Sequence, residues 1–77
     1  MRILFYTGPH CELCDLAKQE LEATSCYESL EIEMRNVRDN TDWYHYYGVR
    51  IPVLKRVDND KEIGWPFNSQ MLEAFLQ

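Results

Sequence analysis

Hydrophobic and polar residues along the chain fall into seven short segments with distinct periods. Residues 2–7, Arg-Ile-Leu-Phe-Tyr-Thr, form an apolar, β-branched and aromatic run, as expected of a buried strand, and Gly8-Pro9 stops it. Leu13, Leu16, Ala17, Leu21 and Thr24 then recur at helical spacing, with Glu12, Asp15, Gln19 and Glu22 outside the stripe. That pattern predicts an amphipathic helix over about residues 11–24. Leu30, Ile32 and Met34 alternate with Glu31, Glu33 and Arg35, the period of a half-exposed strand. Asp39-Asn40-Thr41-Asp42 supplies N-cap oxygens for a short helix over Trp43-Tyr44-His45-Tyr46-Tyr47, which Gly48 is expected to end in a left-handed conformation. Ile51-Pro52-Val53-Leu54 begins another strand, Asp58-Asn59-Asp60 turns, and Lys61 to Trp65 returns as the second arm of a hairpin. Asn68-Ser69 caps a last helix with Leu72, Phe75 and Leu76 on its apolar face. The predicted order is β-α-β-α-β-β-α, an α/β domain.

Composition narrows the class. The 77 residues form one expected domain, 1–77, without repeat or linker, and 45% are hydrophobic. A chain of this size buries only about 60–65% of its unfolded surface, yet the apolar content suffices for a core without a structural disulfide. Three Gly and three Pro argue against a disordered or low-complexity segment. The net charge of −5 argues against nucleic acid, whose binding needs a basic face. No stretch approaches the length of a membrane span, and Ile3 to Tyr6 is too short for a signal-peptide core, so a cytoplasmic location is expected. Acids concentrate in residues 12–33 and bases in 34–61, a division read first as solvated faces. Trp43, Tyr44, Tyr46 and Tyr47 are read as packing against the sheet with some exposure, and His45 as exposed or hydrogen-bonded.

Candidate chemistry lies at Cys11-Glu12-Leu13-Cys14, where the first strand gives way to the first helix. A helix N-terminus presents free N–H groups and partial positive charge, which favour a thiolate over a thiol. The thiolate is the attacking species in disulfide exchange. Spacing places Cys14 one turn on and toward the buried face, so Cys11 is the candidate nucleophile and Cys14 the sheltered resolving thiol. His10 favours the thiolate while Glu12 and Asp15 oppose it, so Cys11 is expected below the free-cysteine value but less so than in motifs flanked by bases. Cys26, after the helix, is expected to be buried and inert. A zinc site from His10, Cys11, Cys14 and Cys26 is disfavoured because His10 and Cys11 are adjacent.

With Phe5-Tyr6-Thr7 before Cys11-x-x-Cys14, then Tyr47-Gly48-Val49-Arg50-Ile51-Pro52 and Ile63-Gly64-Trp65-Pro66-Phe67, the whole chain resembles the thioredoxin-fold glutaredoxins, most nearly the small bacterial DUF836 type. The resemblance implies a four-stranded mixed sheet flanked by three helices. It also implies a cis Ile51–Pro52 bond facing the cysteines, with Ile51 pairing to an extended substrate and Trp65 walling the groove. The implied activity is reduction of a disulfide in a protein or small molecule by a monomer without bound cofactor. Glutathione is a possible co-substrate, with Arg50 taking one carboxylate and the last helix's N-terminus another. Three departures weaken that glutathione site: Gly8 stands where a basic residue is usual, Gly64-Trp65 replaces a Gly-Gly pair, and no acidic residue matches near Asn68-Ser69. The acidic surroundings of Cys11 favour a basic or neutral disulfide. The competing class is a non-catalytic binding module, with Cys11 as ligand to a metal or iron–sulfur cluster.

Overall fold

The computed structural model describes all 77 residues, Met1–Gln77. The elements are β1 (Arg2–Thr7), α1 (Glu12–Glu22), β2 (Glu31–Asn36), α2 (Thr41–Tyr47), β3 (Val53–Arg56), β4 (Glu62–Gly64) and α3 (Ser69–Phe75). Two single 3-10 turns, Tyr27–Ser29 and Val37–Asp39, flank β2. The sheet order is β2-β1-β3-β4, with β1 parallel to β2 and antiparallel to β3, and β4 antiparallel to β3. It is a mixed four-stranded sheet with three helices, the α/β thioredoxin-like architecture.

The middle of β1, Ile3 to Tyr6, is apolar and buried because the strand is central and covered on both faces. Ile3 and Phe5, with Leu54 of β3, meet Cys14, Ala17 and Leu21 of α1 and Phe67, Leu72 and Leu76 near α3. Leu4, Tyr6 and Val53 face the other way, onto Val37 and Tyr47. Tyr47 stacks on Tyr6 with ring centroids 4.0 Å apart.

α1 is shorter than its pattern predicts. Cys11 caps it and Ala23 ends it. Its buried stripe is Cys14, Ala17 and Leu21, continued by Thr24 just past its end, whereas Leu13 and Leu16 are each 46% exposed. The stripe that meets the sheet is a narrow one at i, i+3, i+7 and i+10, and the two leucines flank it. Met34 is likewise exposed, at 52%, although it shares a face with Phe5. β2 is an edge strand, so nothing lies beyond Met34 to cover it. Arg35, expected to point to solvent, is half-buried with its guanidinium 4.8 Å from the Trp43 ring.

α2 starts at Asn40, whose side chain accepts the N–H groups of Asp42 and Trp43 at 2.9 and 3.2 Å. Gly48 is right-handed, φ −52°, contrary to the left-handed stop read from its position. Its glycine requirement is steric, because a Cβ there would sit 2.5 Å from the carbonyl oxygen of Tyr44. Tyr44, His45 and Tyr46 are exposed, and Trp43 is half-buried. β3 begins at Val53, two residues later than predicted, and β4 is only three residues long.

α3 is held at both ends. Asn68 accepts the N–H of Met71 at 2.8 Å. Arg56, buried at the end of β3, donates to the carbonyls of Phe75 and Gln77 at 2.8 and 2.6 Å while pairing with Asp58. Glu20 accepts the N–H of Ser69, and Glu73 accepts the backbone and hydroxyl of Ser25, so α1 and α3 are tied together. No helix is long and apolar enough to cross a membrane.

Candidate active site at the start of α1

β1 ends at Thr7, Gly8 and Pro9 turn the chain, and His10 takes a left-handed conformation, φ 55°, before α1 begins. Histidine enters that region more readily than most side chains. The turn sets Cys11 at the N-cap, where its sulfur accepts the backbone N–H of Cys14 at 3.1 Å. A free donor of the first helical turn is thereby aimed at the Cys11 sulfur, where it favours negative charge. Cys11 is half-buried and Cys14 only 5% exposed. The two sulfurs form a disulfide, with Cα atoms 5.2 Å apart.

A polar hollow of about 360 Å³ opens on Cys11, lined by Thr7, Gly8, His10, Cys11, Glu12 and Asp15. His10, Cys11 and Asp15 are therefore brought together as the spacing predicts, and Glu12 joins them as a wall. Ile51 adjoins this hollow, since its Cδ1 would lie 2.8 Å from a Cβ placed on Gly8. Neither the N–H nor the C=O of Ile51 has a backbone partner. The Ile51–Pro52 and Trp65–Pro66 peptide bonds are cis. Trp65 donates its backbone N–H to the Pro52 carbonyl at 3.1 Å and meets Phe67 edge to face. Trp65 is half-buried and Phe67 buried.

Arg50 is directed elsewhere. Its guanidinium donates to the Tyr46 carbonyl at 3.1 and 2.9 Å and lies 5.1 Å from the centroid of the Tyr47 ring. It closes the C-terminal end of α2 and does not line the hollow. Beside it the Tyr47 hydroxyl donates to Glu62 at 2.5 Å; burial, reinforced by Glu62, holds that phenol well above its ordinary value. This Tyr47–Glu62 link is invisible in the sequence because the partners lie in different elements.

Cys26 is half-buried against the α1 side of the core, less sheltered than expected. It follows the far end of α1, about 16 Å of helix from Cys11. No three His, Cys, Asp or Glu side chains converge as a metal site.

The model of a glutaredoxin-like domain (DUF836) matches residues 2–77. Among solved structures, the chain is similar to the structural-genomics target protein XcR50 from X. campestris. Its crystal form is 27% identical, with TM-score 0.78, over 96% of this chain and 93% of that one. Its solution form is 29% identical, with TM-score 0.81, over 99% and 92%. Thioredoxin 1 from Thermosipho africanus TCF52B, at 16% identity, shares the fold with TM-score 0.72 over 99% of this chain and 90% of its own. No curated protein matches the chain by sequence.

Proposed function

We propose that the chain, which belongs to the glutaredoxin-like (DUF836) family, is a thiol–disulfide oxidoreductase. One observation carries the reading: the Cys11–Cys14 disulfide sits at the N-terminus of α1 with one sulfur on an open hollow and the other buried. In the reduced protein the Cys11 thiolate attacks one sulfur of the substrate disulfide, breaks its sulfur–sulfur bond with the other sulfur leaving as a thiolate, and forms a mixed disulfide. Cys14, one turn along, attacks Cys11 and releases the reduced substrate. The unpartnered N–H and C=O of Ile51 supply a short ladder for an extended substrate beside Cys11, ahead of Pro52. Trp65 borders that ladder through its bond to Pro52, and Arg50 acts indirectly by closing α2 just before Ile51. His10 and Asp15 tune the Cys11 thiol from opposite directions. The reading includes a cytoplasmic monomer using a protein or small disulfide, with glutathione or a thioredoxin reductase as the source of electrons.

Turnover of hydroxyethyl disulfide, measured with glutathione and separately with thioredoxin reductase, tests this. Activity is expected with at least one reductant. Cys11→Ser abolishes it, and Cys14→Ser accumulates the mixed disulfide on Cys11, visible by mass spectrometry. Absence of turnover with both reductants, or visible absorbance or stoichiometric zinc in the purified protein, favours the binding-module reading instead.

A further inference from the structure

The hollow beside Cys11 carries uncompensated negative charge. Glu12 and Asp15 line it, and its only side chain able to carry positive charge is His10. Neither carboxylate is among the ion pairs of the chain, which engage Arg2, Arg35, Arg50, Lys55 and Arg56 with Glu33, Glu62, Asp60 and Asp58. Lys18, the base nearest them along α1, instead borders an apolar groove with Phe5, Leu21 and Met34. Arg50 is held on Tyr46. Any disulfide that reaches Cys11 therefore meets two carboxylates and no fixed cation.

Resting on the oxidoreductase reading, we propose that this hollow selects disulfides bearing ammonium or guanidinium groups near the sulfur–sulfur bond over anionic ones such as glutathione disulfide. One carboxylate about 4 Å from an ammonium in water favours association by roughly fivefold. The same carboxylate opposes a substrate carboxylate by a similar factor, and salt weakens both effects. With cystamine as substrate, the Cys11 thiolate attacks one sulfur and the cystamine sulfur–sulfur bond breaks. Cysteamine leaves as a thiolate that takes a proton from water. Cys14 loses its proton to solvent and attacks the Cys11 sulfur, re-forming the Cys11–Cys14 bond and expelling the second cysteamine. Two protein thiols are oxidised to a disulfide, and one cystamine is reduced to two thiols.

The test is single-turnover oxidation of the reduced full chain by cystamine, hydroxyethyl disulfide and dithiodiglycolate, which are cationic, neutral and anionic. Each rate is divided by that of the same disulfide with dithiothreitol. Cystamine is expected to exceed dithiodiglycolate by roughly 25-fold at low ionic strength, the product of the fivefold gain and the fivefold loss, with the ratio approaching one at about 1 M salt. Glu12→Gln with Asp15→Asn brings the ratio near one. Glu22→Gln with Glu28→Gln makes the same charge change away from the hollow and leaves the ratio as in the wild type. A matched pair of peptide disulfides, flanked by Lys or by Glu, identifies the source. A larger preference in the peptides assigns a protein substrate, a larger one in the small disulfides assigns a small amine, and either supports the proposal. Equal normalised rates for all three small disulfides, or an equal shift in the Glu22 and Glu28 variant, overturn it while leaving the oxidoreductase reading standing. Failure of all three to oxidise the protein overturns that reading itself.

Discussion

Gly48 is a glycine because of what lies beside it, not because of its backbone angles. Its φ of −52° suits any residue, yet a Cβ would sit 2.5 Å from the backbone oxygen of Tyr44, which cannot rotate away. Two explanations therefore predict opposite signs for Gly48→Ala. Were conformational freedom the whole story, alanine would stabilise by about 0.4–1 kcal/mol through the unfolded chain. The close approach instead predicts a loss of about 1–3 kcal/mol, as for other overpacked sites, and urea unfolding of the oxidised protein decides between them. At Gly8 the neighbour is a side-chain tip, Ile51 Cδ1, which can yield. Both positions announce themselves in the sequence as breaks, but residue types alone tell neither the close approach of the Tyr44 carbonyl to Gly48 nor the distant contact of Ile51 with Gly8. Cys11 and Cys14 are the opposite case. Their spacing, the strand before them and the helix after them are all local, so the sheltered partner Cys14 could be read directly from the chain, whereas Cys11, expected inside the helix, caps it with its sulfur.

At the scale of elements, α2 and α3 have seven residues each, too few to persist as isolated helices. Their ends are fixed by side chains: Asn40 starts α2, and Asn68 and Arg56 hold the two ends of α3. Asn68→Ala is expected to cost about 1 kcal/mol of global stability, while Asn68→Asp keeps the acceptor and retains it. Chemical denaturation checks both, and an Asn68→Ala protein as stable as wild type would remove the cap from the account. Periodicity located every strand and helix because each buries a face in register with its own repeat. It failed where burial depends on neighbours. Leu13 and Leu16 fit the helical stripe but flank the contact with the sheet, and Met34 alternates correctly on an edge with no cover. Arg56 ends β3 beside a second base, Lys55, and its partners Phe75 and Gln77 are a full hairpin and helix away, so nothing local marks it as the buried one. Arg50, expected to take a glutathione carboxylate, is held on α2 by the carbonyl of Tyr46, four residues earlier.

For the whole molecule, the charges left unpaired and those that are paired have different consequences. Glu12 and Asp15 are free at the hollow, whereas Glu33, Asp58 and Glu73 are engaged in holding elements together. Hydrogen bonds from Arg35 and then Arg2 hold Glu33 below its ordinary 4.5, Arg56 holds Asp58 below 3.8, and the backbone and hydroxyl of Ser25 hold Glu73 below 4.5. Each binds its proton more weakly when folded than unfolded. Their stabilisation is therefore complete above the ordinary values and is lost as pH falls through the lowered ones. Tyr47 has the reverse sign. Burial first, and its bond to Glu62 second, raise it above its ordinary 10.0, so its contribution is complete below that value and is lost as pH rises beyond it. Stability of the oxidised protein should therefore be flat between roughly pH 5 and 9 and decline on both sides. Glu73→Gln makes the acid decline shallower, and Tyr47→Phe makes the alkaline decline shallower without altering the acid one. Urea unfolding across pH measures all three proteins. An alkaline limb unchanged by Tyr47→Phe would show that other phenols or amines set it, and that the Tyr47–Glu62 link between α2 and β4 contributes nothing to the pH dependence of the fold.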